Sequence, residues 1–228
     1  MPVIAAHILI ARPLARTIKW PAIVASFVPA LGIVWYVSND QYANVGTAAL
    51  SLRLAALSLA VAIAFVLDDP TEDLTGPAPV SLLARRVVRV ALALPVVILF
   101  WIVLVAMANG ASFMTQTLSQ TTMLVELFAF ISLAVGGAAI GGRHLADKLG
   151  GPAGAGIVVC VVAVGGLLPW GRSLLAQVPG TAAYTQLRSW WWVAIAAGAL
   201  AFVMFSATPG WFRTRWLTTV RRSLTPTP

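Results

Sequence analysis

Four carboxylates stand within six residues, Asp68, Asp69, Glu72 and Asp73 in the run DDPTED. Clustered carboxylates bind hard divalent cations and bridge them to phosphate, so the run could hold Mg²⁺ and a diphosphate substrate. The same charges could instead gather at the positive end of a short helix and form a grip for a soluble partner. The third reading is a plain capped turn. The surrounding residues punctuate a helix: Asp69 as N-cap, Pro70 at the first helical position, and Glu72 three residues after the cap. Gly76 can close that helix and Pro77 prevents its continuation. A second helical stretch begins at Ser81 and carries Arg85, Arg86 and Arg89.

Two further charges, Arg53 and Glu126, lie inside long apolar stretches at matching depth. An isolated charge near the centre of a bilayer costs about 2.5–3.5 kcal/mol on insertion scales. Pairing would lower that cost and place a gate or a substrate contact at one mouth. The alternative is that Arg53 snorkels to headgroups while Glu126 faces a wet loop. Other chemistries find no residues. A P-loop needs Gly-Lys before Ser or Thr; the only lysines, Lys19 and Lys148, follow Ile18 and Asp147. The chain is therefore expected to have no ATPase or catalytic residues of its own. The single Cys160 excludes an internal disulfide. His7 and His144 lack ligand partners at usual spacing, so no metal or cofactor site is expected.

What must position these residues is membrane-spanning helix. Of 228 residues, 60% are hydrophobic and 10% charged. Six apolar stretches, near 18–37, 49–67, 90–108, 123–140, 154–169 and 190–207, each approach the roughly 20 residues that a crossing requires. A bilayer offers the backbone no hydrogen bonds, so each is read as a helix. Two-residue alternation, the mark of a membrane barrel, is absent. The expected fold is all-α, one six-span domain over 1–228 with no soluble domain.

Basic residues orient it. With the N-terminus inside, twelve of the fifteen Lys and Arg fall on inner segments; only Arg172 and Arg188 fall outside, and Arg53 lies within a span. This bias predicts cytoplasmic termini. Trp35, Trp170 and Trp190–Trp192 fall at outer boundaries, Trp20, Trp211 and Trp216 at inner ones, while Trp101 sits mid-span as packing. The net charge of +8 faces anionic lipid, and no nucleic-acid motif accompanies it. Arg12, Arg16 and Lys19 oppose Ile10, Leu14 and Ile18, the pattern of an amphipathic helix lying in the interface. Gly137 and Gly141 permit close helix packing, and the Gly150–Gly156 cluster marks a tight turn.

Six spans, an interfacial N-terminal helix and a capped loop after the second span resemble the permease subunit of an ABC-2-type exporter. Phe65 to Pro95 resembles the corresponding stretch of actinobacterial ABC permeases. The resemblance implies a bacterial plasma-membrane protein exporting an amphipathic or lipophilic compound such as a drug, lipid or peptide. It implies that Asp68, Asp69, Glu72, Asp73, Arg85, Arg86 and Arg89 belong to an ATPase-coupling loop. A second permease subunit, identical or homologous, and two ATPase subunits carrying ATP and Mg²⁺ are the implied partners. Leu167–Ser189 resembles the family's outer segment, which often holds re-entrant helices. An intramembrane prenyl- or phosphotransferase built on Asp68–Asp73 is the alternative, but the second aspartate motif of such enzymes is missing. A non-transporting assembly subunit is the third possibility.

Overall fold

The computed structural model describes residues 18–68, 81–111, 114, 117–144, 150–167 and 177–207. All regular structure among them is helical, in six helices: α1 (Trp20–Ser38), α2 (Val45–Val66), α3 (Leu82–Asn109), α4 (Gln120–His144), α5 (Gly150–Leu167) and α6 (Ala182–Ser206). Five stretches, α1 to α4 and Arg188–Ser206 within α6, are long and apolar enough to cross a membrane. The apolar stretch of α5, Gly150–Val164, is shorter. The residues expected to form an interfacial N-terminal helix and a capped loop with Asp69, Glu72 and Asp73, and the tail after 207, lie outside the described residues.

Local chemistry sets the helix starts. Asn44 Oδ1 accepts from the N–H groups of Gly46 and Thr47, while Thr47 Oγ1 accepts from the Asn44 N–H at 2.8 Å. This reciprocal box starts α2 at Val45, four residues before the apolar pattern suggests. Ser81 caps α3 through the Ala84 N–H, so the predicted helix from Ser81 does run into the third span, and Arg85, Arg86 and Arg89 belong to its first turns. The Asn109 side chain brackets Leu118, accepting from its N–H and donating to its carbonyl, which closes the connection between α3 and α4.

The helices alternate in direction. Lys19, just before α1, lies near Asp68, just after α2; Asp68 in turn meets Gly151, at the start of α5. Arg86, at the start of α3, donates to Ser206, at the end of α6. These residues define one end of the bundle, the Lys19 end. Arg53, Glu126 and Tyr184, from the first halves of α2, α4 and α6, define the other.

The core forms around α2 and α4, the most buried helices. Ala48, Ala49, Ala55, Ala56, Ala60, Ala62 and Ala64 are all buried. Such small residues let neighbouring helices approach α2 on several sides. On one side α1 and α3 join through Phe27 and Phe100, stacked with ring centroids 4.1 Å apart. Both carry an internal proline, Pro29 and Pro95. Pro29 has no N–H to donate to the Ala25 carbonyl; beside it, the Ser58 hydroxyl of α2 donates to the Ser26 carbonyl at 2.9 Å and ties the two helices.

On the other side α4 packs between α5 and α6. A β-carbon on Gly136 would lie 2.6 Å from the Gly198 carbonyl of α6, and one on Gly154 would overlap the Ala134 carbonyl. Adjacent glycines on α4 therefore serve opposite neighbours, since Gly137 faces Ile157 and Gly154 of α5. This corrects the reading of Gly150–Gly156 as a turn. The cluster forms the first turns of α5, where Gly151 and Gly154 permit close backbone approach.

Candidate functional site

The two membrane-embedded charges meet. Arg53 Nε donates to Glu126 Oε2 at 2.8 Å, and its Nη2 donates to Oε1 at 3.0 Å, a bidentate contact between α2 and α4. The side chains are 3% and 1% exposed, so Arg53 does not snorkel and Glu126 does not face a wet loop. Both lie deeper than the one turn predicted, because α2 and α4 begin before the apolar runs.

Two further groups complete the cluster. Tyr184 Oη donates to Glu126 Oε1 at 2.8 Å, and Arg53 Nη2 also donates to the Gln177 carbonyl at 3.0 Å. Tyr184 is buried. Sequence reasoning missed it because it assigned 182–189 to an outer segment with re-entrant helices; those residues are the continuous first turns of α6. The available signal was a cap. Thr181 Oγ1 accepts from the Tyr184 N–H at 3.2 Å while donating to the Val178 carbonyl at 2.9 Å. Before it, Gly180 has φ +97°, a left-handed conformation that glycine adopts without penalty. The strap 177–181 thus turns sharply into α6. Val178 lies against Gly46 at the start of α2.

Chemically the cluster is a charge-assisted hydrogen-bond network. The Glu126 carboxyl accepts from a guanidinium fork and a phenol, an arrangement that satisfies polar groups within apolar surroundings. Among the described residues no group of three or more His, Cys, Asp and Glu is placed to hold a metal ion.

At the Lys19 end the predicted loop residues divide. Asp68 is described, while Asp69, Glu72 and Asp73 lie outside the described residues. The Asp68 Oδ1 accepts from the Gly151 N–H, so it occupies the positive end of α5. Lys19 Nζ stands 3.9 Å from its Oδ2. Arg86 and Arg89 are buried, which corrects their expected place on a lipid-facing rim. Arg86 Nη1 donates to Ser206 Oγ at 3.3 Å and its Nη2 crowds Gly142. Arg85 is half-buried. Arg143 is exposed and lies over the Phe205 ring.

Of the tryptophans expected at outer boundaries, Trp35, Trp190 and Trp192 are exposed. The Trp191 ring is buried edge-on against Phe130, and its Nε1–H meets no acceptor among the described residues. Trp101 is buried in the core, in keeping with a packing role. No protein-family model, curated protein or solved structure matches the chain.

Proposed function

We propose that this chain is the membrane permease subunit of an ATP-driven exporter, of ABC-2 type, moving an amphipathic or lipophilic compound outward. A sixth crossing by α5, cytoplasmic termini and a location in a bacterial plasma membrane belong to the same reading. The alternating helix directions are consistent with it, since α5 begins at the Lys19 end beside Asp68.

The observation that carries the proposal is how the connector between α2 and α3 is anchored. At one side of it Asp68 binds the start of α5 and lies beside Lys19 at the start of α1. At the other, Arg86 binds the end of α6. A force applied at these anchors reaches three further helices, α1, α5 and α6, through direct side-chain contacts. That suits a segment receiving work from a partner. The chain itself has no Gly-Lys pair with which to hold nucleotide phosphates, so the work must come from a separate ATPase.

The test uses the tagged full chain purified from its native membranes. The expected partner is an ATP-binding subunit, and the complex in lipid nanodiscs hydrolyses ATP. Removing residues 69–76 leaves insertion intact and abolishes substrate-stimulated hydrolysis, while Asp68 keeps its bond to α5. Unchanged stimulation in that deletion refutes the coupling role. Turnover of a prenyl diphosphate by the chain alone would instead establish the transferase alternative.

A further inference from the structure

We propose that Arg53, Glu126 and Tyr184, with the Gln177 carbonyl, form a reversible latch that fastens the strap 177–181 and the first turns of α6 over the ends of α2 and α4. The inference rests on the transport reading, in which this end is the outer mouth. It goes beyond that reading by naming the closed contact and the element that moves.

Three observations support it. First, the tie between α2 and α6 is polar. The two helices pack mainly on other partners, α2 on α1, α4 and α5, and α6 on α4. Arg53 and Tyr184 reach each other through Glu126.

Second, the strap is held at a backbone carbonyl by a guanidinium, with Val178 resting on Gly46. The turn at Gly180 gives it a joint of its own.

Third, α4 and α6 are locked elsewhere. Gly136 and Gly198 meet backbone to backbone, and Gly198 lies fourteen residues after Tyr184, about 21 Å along the helix. A small tilt about that contact therefore moves Tyr184 substantially.

The chemistry of the fastener explains why charges serve here. An apolar seam would expose its whole area on opening. A charged network that is hydrated on opening exchanges its hydrogen bonds for bonds to water, so the net change on opening is far smaller than the strength of each bond. In the closed arrangement the same bonds are shielded and directional, which fixes one register of the strap. Opening requires no change of covalent state and no loss of a proton.

The test uses the full chain in nanodiscs with Cys160→Ala, so that one introduced thiol is read at a time. Ser51→Cys reports the Arg53 end and Ser206→Cys the Lys19 end; both serines are buried. With the latch intact, a membrane-impermeant maleimide labels Ser51→Cys slowly. Glu126→Gln raises that labelling rate roughly ten- to hundred-fold, the factor expected when a charged hydrogen bond is lost, and leaves Ser206→Cys unchanged. Equal acceleration at both reporters would mean that the cluster merely holds the fold together and would overturn the proposal. No acceleration at Ser51→Cys would also overturn it. If Glu126→Gln does not fold, Tyr184→Phe carries the test with the same two reporters. The permease reading is judged separately, by whether ATP and the partner ATPase change labelling of Ser51→Cys in a chain with an intact latch. A chain that ignores them counts against transport while the response to Glu126→Gln still decides the latch.

Discussion

The two ends of the bundle use the same kinds of side chain in opposite ways. At the Arg53 end an arginine and a glutamate meet in bidentate contact with both side chains almost wholly buried. At the Lys19 end a lysine with 47% of its side chain exposed stands 3.9 Å from an aspartate whose other oxygen is engaged by a helix start. The first arrangement fixes one geometry, because a buried charge deprived of its partner is heavily penalised. The second tolerates displacement, because water screens the pair whatever its separation. In the proposed permease this asymmetry would give compliance where force enters and a definite register where the path closes.

The largest effect that tests the comparison is loss of one member of the buried pair. Arg53→Ala or Glu126→Ala should lower stability by about 3–5 kcal/mol, since each leaves an uncompensated charge in the interior. Thermal unfolding of the purified chain in detergent measures this. Reversing both charges together should recover part of the loss, and a double-mutant cycle showing no coupling would break the distinction between the ends.

Next is Tyr184→Phe, which removes a hydrogen bond to a carboxylate and should cost about 1.5–3 kcal/mol by the same measurement. A comparable cost, about 1–3 kcal/mol, is expected from Gly198→Ala, whose added methyl would overlap the Ser132 backbone and force α4 and α6 apart. That change sharpens the comparison, because it strikes the packing between the ends and should disturb both reporters of the latch alike. The smallest effect belongs to Lys19→Ala. An exposed pair of this kind contributes about 0–1 kcal/mol, so a loss near that of Glu126→Ala would show that the Lys19 end is as rigid as its counterpart.

Much of the architecture could be read from the residues. Long apolar runs must become helices in lipid, and five of the six expected spans recur as helices of sufficient length. Depth matching brought Arg53 and Glu126 into consideration together, because two charges at one level in a bilayer have few other partners. What escaped was set by short-range polar chemistry. The capping box at Asn44 and Thr47 moved the start of α2, and the Thr181 cap moved that of α6. Tyr184 was hidden by the second of these shifts. Asp68 was grouped with its sequence neighbours, whereas its partner, Gly151, is 83 positions away. Arg86 and Arg89 were placed on the rim by a rule that counts charges per loop and is blind to which face of a helix turns inward.

The length of α3 bears on the surrounding lipid. Its 28 residues rise about 42 Å, more than the roughly 30 Å of a hydrocarbon layer. In a bilayer the surplus must stand beyond the apolar layer or be taken up by a lean of the helix. Membrane thickness thereby becomes a variable that acts on the tilt of the bundle.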